Sequence, residues 1–124
     1  MFKISLCIGG LFAAIAIIAG ALEAHALQTL LTLHQGTDNF HKARDYLAYH
    51  GLALLIMSTL ITQQPQCNFG HITWAWIGGC VLFSGSLFIY SLTGWKLITV
   101  VTPIGGSVLI LSWLWLGLKS RKMT

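Results

Sequence analysis

The chain has 124 residues, 56% of them hydrophobic and only 8% charged, with a formal net charge of +4 at pH 7. So few charges cannot give a soluble domain of this length its hydrated surface. The basic residues stand at the ends of long apolar stretches, which excludes nucleic acid as a partner and makes the lipid bilayer the expected solvent.

Four apolar stretches run over about residues 4–22, 46–62, 72–95 and 97–118. Each is near the ~20 residues that a helix needs to cross the hydrocarbon core, where every backbone polar group must be paired within its own segment. The expected fold is all-α, an antiparallel four-transmembrane-helix bundle. Residues 1–124 form its single domain, with no length left for a soluble catalytic module.

Lys3, the first apolar run and Ala24-His25-Ala26 resemble the parts of a secretory signal peptide. The uncharged run over residues 4–22 is longer than a signal core of 7–15 residues, so an uncleaved first span is expected. Beyond it, Leu27, Leu30, Leu31 and Leu33 alternate with Gln28, Thr29 and Thr32, which predicts an amphipathic extension at the interface. His34-Gln35-Gly36 reads as its stop, with Gly36 as a left-handed cap, and Thr37 or Asp38 as the cap of the second helix. That helix opens with two i,i+4 pairs, Asp38–Lys42 and His41–Asp45.

The second connection, over residues 63–70, carries Pro65 and Cys67 and predicts a short loop. Cys7, Cys67 and Cys80 imply no disulfide, since two lie in spans and one in a cytoplasmic connection. Thr93-Gly94-Trp95-Lys96 is a tight turn that makes spans three and four antiparallel neighbours. Trp74, Trp76, Trp95, Trp113 and Trp115 suit an interfacial aromatic belt. Gly78 with Gly85, Gly105 with Ser112, and Thr102 with Gly106 are expected to line the inside of the bundle. Pro103 should free the carbonyl of Thr99 and kink the fourth span.

Lys3, Lys119, Arg121 and Lys122 flank one side of the membrane and Lys42, Arg44 and Lys96 the other. The acids of the first connection tip the balance toward cytoplasmic termini. The location expected is a bacterial inner (plasma) membrane. With that orientation, His25, Tyr46, His50, Ser84, Ser86 and Thr102 fall in the outer-leaflet half, while the inner half is nearly all apolar. Buried polar groups in lipid must pair, so this cluster is either a network that orders the helices or a site for a lipid, small molecule or proton. No HxxxH, HxxE or CxxC spacing points to a metal, no cofactor is expected, and no nucleophile–base–acid trio argues for an enzyme. His34, His41 and His71 read as surface residues.

At these positions the chain resembles the YgdD-type family of small bacterial inner-membrane proteins, which has eukaryotic relatives. Gly20-Ala21-Leu22-Glu23-Ala24-His25-Ala26-Leu27 is similar to its GAFGAH-type motif, and the run from Tyr46 to Leu55 to its Y-x-x-x-H-x-L-A-L-L segment. Leu82-Phe83-Ser84-Gly85-Ser86-Leu87-Phe88 resembles LFSGSLY, and Thr102-Pro103-Ile104-Gly105-Gly106 resembles TPxGG. The family is one of unknown function, so the resemblance implies architecture and membrane location without an activity. It also implies that the polar positions above, with Gly20, Gly85, Pro103, Gly105 and Gly106 as structural motif residues, are the ones to test. Glu23 replaces the family's usual glycine and adds a carboxylate that could pair with His25, Lys42 or Arg44. Phe88 replaces a tyrosine.

The first functional reading is a non-enzymatic membrane protein whose polar cluster orders the bundle and offers a site to a lipid or a partner subunit, with a homo-oligomer as one form of that partner. The alternatives are a small proton-coupled carrier, disfavoured because no acid lies deeper than Glu23, and a metal- or haem-binding accessory protein using His25 and His50.

Overall fold

The computed structural model describes residues 1–122. Helix α1 spans Phe2–Ala24, α2 Gln28–Leu33, α3 Thr37–Gln63 and α4 Gly70–Thr93. A 3-10 segment, Lys96–Val100, precedes α5 at Thr102–Lys119, and a last 3-10 turn covers Ser120–Lys122. Among the described residues there is no strand. Four helical segments are long and apolar enough to cross a membrane: α1, α3, α4 and the stretch from Lys96 to Lys119. At ~1.5 Å per residue, the 27-residue α3 is about 40 Å long, so it outruns a ~30 Å hydrocarbon core and its polar first turns stand in the interface.

The amphipathic extension is a separate helix rather than a continuation of α1. α1 stops at His25, and α2 lays Leu31 into a small cluster with Ala19 and Phe40 while Leu33 stays exposed. α2 ends in a Schellman motif: the Gly36 N–H donates to the Leu31 carbonyl (2.8 Å) and the Gln35 N–H to that of Thr32 (3.1 Å). The left-handed residue is Gln35 (φ 52°), and Gly36 has φ −98°. Gly36 serves close approach instead, because a Cβ there would lie 2.6 Å from the Ser91 Cα of α4. It is also the N-cap of α3, which has no side-chain cap hydrogen bond from Thr37 or Asp38.

The helices pack in chain order, α1 on α3, α3 on α4 and α4 on α5. Among the described residues α1 and α5 do not pack along one another, so they form the two flanks. Backbone proximity sets two of the three seams. On α1 and α3, a Cβ at Gly9 would sit 2.9 Å from the Gly51 oxygen, and one at Gly51 would sit 2.9 Å from the Ala13 nitrogen. On α4 and α5, a Cβ at Gly105 would meet the Phe83 nitrogen at 2.5 Å and the Gly79 oxygen at 2.8 Å. This close packing of small residues is what holds helices together in lipid, where burial of apolar surface gives no advantage. Gly78 and Gly85, expected inside the bundle, face open space. The seam residue is Gly79, one position along and about 100° round the helix. Aromatic contacts fill the α3–α4 seam, with Phe40 against Phe88 at 4.9 Å and Tyr46 against Phe83 at 4.7 Å between ring centroids.

Pro103 does not kink a continuous fourth span. It sits in the first turn of α5, where its missing N–H and fixed φ suit a helix start, and the residues before it are wound as a 3-10 segment. Gly94 ends α4 with φ +71°, the left-handed conformation that glycine adopts without strain, and the His34 ring lies over it. Trp76 departs from the aromatic belt: it is 2% exposed, on the stripe Ile72, Thr73, Trp76 and Cys80 that α4 buries, while Trp74, Trp95, Trp113 and Trp115 remain exposed at their edges.

Candidate functional site

The polar positions read from the sequence fall into three separate groups. The first centres on His50, 4% exposed and midway along α3. Its Nδ1 lies 2.8 Å from the Tyr46 carbonyl one turn back, and Trp113 Nε1 of α5 donates to its Nε2 at 3.0 Å. An indole nitrogen can only donate, so Nε2 is the acceptor and the proton sits on Nδ1. This neutral, fixed tautomer ties α3 to α5 across the face of α4. The Trp76 ring lies tilted against that of Trp113, 4.4 Å between centroids, and edge-on to His50, yet its own Nε1 is buried without an acceptor among the described residues. The Tyr46 carbonyl also accepts from Cys80 Sγ at 3.8 Å, and Cys80 lies 3.8 Å from Ser84 Oγ. Tyr46's ring is exposed.

The second group is smaller. Ser86 donates to the Phe83 carbonyl (3.0 Å), so Thr102, 2.6 Å away, donates to Ser86 and fastens the start of α5 to α4. Gly106 runs alongside, its missing Cβ position 3.5 Å from the Phe83 ring.

Glu23 organises the third group. It is 9% exposed at the end of α1 and shares its carboxylate between His41 Nδ1 (2.7 Å) and Arg44 Nη1 (2.8 Å). Arg44 in turn donates through Nε and Nη2 to Asp45 at 3.0 and 2.8 Å. The expected i,i+4 pairs of α3 are thus not the ones formed. His41 and Arg44, three apart, share the face that meets α1, and Glu23 takes both. A buried carboxylate in lipid needs such partners, because leaving it ionised and alone is costly. Around this group lies a cavity of about 420 Å³, lined by Gly20, Glu23, Ala24, Gln28, Leu31, Thr32, Thr37, His41 and Arg44. Arg44 also walls an apolar groove of about 240 Å³ with Ala13, Ala16, Ile17, Ala48 and Leu52. Residues 13, 16 and 20 of α1 and 44, 48 and 52 of α3 keep helical spacing, so cavity and groove follow one seam. Gly20 keeps the seam open: a Cβ there would already touch Arg44 Cδ at 3.4 Å.

His25 joins none of these groups; its side chain is exposed beyond the end of α1. His50, by contrast, is buried with both ring nitrogens engaged, so the two histidines do not share one environment. Among the described residues no three His, Cys, Asp or Glu side chains gather as a metal-holding group. Nor is polarity confined to one half of the bundle. Near the N-terminal end of α1, Ser5 donates to the Leu54 carbonyl of α3 at 2.7 Å, and Ser58, Thr73 and Ser112 are buried on backbone carbonyls.

Trp113, Trp76 and His41 are the residues that sequence reasoning missed. Indoles near helix ends look like belt residues, and His41 four before an aspartate looks like a surface pair. The signal available for His41 was its i,i+3 spacing to Arg44.

Comparison with known proteins adds a family and no chemistry. The family described as "Protein of unknown function (DUF423)" matches residues 19–106. A UPF0382 membrane protein of Staphylococcus aureus (strain bovine RF122 / ET3-1) is 39% identical over 114 residues, 92% of each chain. One of Staphylococcus saprophyticus is 36% identical over 121 residues, 98% of this chain and 99% of the relative. The UPF0382 membrane protein YwdK of Bacillus subtilis (strain 168) is 32% identical over 115 residues, 90% of this chain and 91% of the relative. No solved structure matches.

Proposed function

The chain belongs to the DUF423 family of membrane proteins, which assigns it no activity, and from that premise we propose that it is a non-enzymatic lipid-binding protein of the bacterial inner membrane. In this reading the Glu23–His41–Arg44 cavity receives a lipid headgroup, and the groove beneath it receives one acyl chain. The observation that carries it is Arg44, a wall of both the polar cavity and the apolar groove. A lipid has the same sequence of polar then apolar parts along its length, and the first turns of α3 stand where headgroups lie. The His50 and Ser86 groups have their hydrogen bonds filled from within the protein, which supports a role in ordering the helices. Residues 1–124 act as one domain with both termini in the cytoplasm, and the YgdD-type resemblance of the motifs belongs to the same reading.

Native mass spectrometry after gentle extraction tests it. Wild type should carry a lipid adduct that Ala48→Trp, which fills the groove, loses and Ile110→Trp, on the exposed face of α5, keeps. A bare wild type, or an adduct indifferent to Ala48→Trp, would overturn the proposal.

A further inference from the structure

The charges around the cavity select among headgroups. Glu23 and Asp45 bring two carboxylates to one guanidinium, since Arg44 spends Nη1 on Glu23 and both Nε and Nη2 on Asp45. His41 Nδ1 lies 2.7 Å from the other Glu23 oxygen. Two carboxylates against one guanidinium leave the fixed charges of the group one negative in excess, and of the two carboxylates it is Glu23, the more buried, that lines the cavity beside Arg44 and His41. Glu23 Oε2 accepts one hydrogen bond from Arg44 and Oε1 faces His41 Nδ1, so each oxygen keeps a lone pair for a further donor. The remaining walls there, Gln28, Thr32 and Thr37, are uncharged and bring no cation for an anionic headgroup.

Resting on the lipid-binding reading, we infer that the site prefers a lipid whose headgroup carries a primary ammonium, which would donate to the free lone pairs of Glu23. A glycerol headgroup on an anionic lipid would meet repulsion, and a trimethylated ammonium could balance the charge without donating a hydrogen bond.

The test is competition at pH 8. Purified protein is exchanged into nanodiscs holding equal amounts of phosphatidylethanolamine, phosphatidylglycerol and phosphatidylcholine, and the retained lipid is read by native mass spectrometry. The ethanolamine lipid should be enriched about tenfold over the glycerol lipid, the factor that one charge-assisted hydrogen bond supplies. Glu23→Gln should bring that ratio close to one. Arg44→Gln, which leaves the carboxylates less balanced, should raise it, and this gives the opposite sign where the first variant fails to fold. Retention of the glycerol lipid in preference, or an unchanged ratio in both variants, would overturn the inference while leaving lipid binding in place. Retention of no lipid would overturn both.

Discussion

Replacing Trp113 by Phe removes the N–H that His50 Nε2 accepts and leaves a buried acceptor unpaired, which should destabilise the protein by about 1–3 kcal/mol. Trp76→Phe leaves a small cavity but also deletes an indole N–H that has no acceptor, so it should cost less than a buried truncation of that size usually does and less than Trp113→Phe. Thermal melting of the two variants in the same detergent checks that order, and equal losses would contradict the account. Glu23→Ala strips Arg44 and His41 of their shared partner and should cost on the order of 2 kcal/mol, only part of it recovered in Glu23→Gln, whose one amide oxygen still accepts from one of the two while its nitrogen cannot accept from the other. The sequence pointed to Glu23 and His50 as residues of interest, because a carboxylate or imidazole at the edge of or within an apolar run is conspicuous. Their partners were hidden, since an exposed indole edge and a buried one look alike in sequence.

Among the helices the glycines separate into those that touch a neighbouring backbone and those that do not. Gly105→Ala drives a Cβ into the Phe83 nitrogen and the Gly79 oxygen and should cost about 1–3 kcal/mol, as should Gly51→Ala on the α1–α3 seam. Gly78→Ala and Gly85→Ala meet nothing and should be neutral or stabilising by up to ~1 kcal/mol, since alanine is the better helix former. Melting the four variants tests this, and a loss at Gly78 equal to that at Gly105 would contradict the seam. The positions and number of the spans were legible because lipid demands long uninterrupted apolar runs. Which face of each run packs inward was not. A helix apolar all round carries no period to show its buried side, so Gly78 and Gly79 were indistinguishable. Pro103 was misread for a related reason: nothing in the run 97–118 marks the change from 3-10 to α-helix except the proline itself.

For the whole molecule, four antiparallel spans put both chain ends on one side, and in the proposed topology, argued from the balance of Lys and Arg, that side is the cytoplasm. In a variant with Cys7, Cys67 and Cys80 replaced by alanine, a cysteine at Thr37 should label from outside intact cells. One at Ser120 should label only after lysis, and the opposite pattern would invert the topology. The candidate cavity was half legible at this scale. Arg44 was one of three partners open to Glu23, beside His25 and Lys42, and the cavity needs α2 folded back beside Glu23 and Arg44, which follows from the Schellman turn at Gln35 and Gly36 rather than from any motif. The central claim is that this cavity holds a lipid of its own, distinct from the lipid bathing the exposed faces. The measurement that tests it most directly is photocrosslinking with p-benzoylphenylalanine at Thr32, in the cavity, and at Ile110, on the exposed face of α5, after extraction and extensive detergent washing. The account predicts a lipid adduct at position 32 that survives washing and an adduct at position 110 that does not. No adduct at 32, or equal loss at both positions, would contradict it.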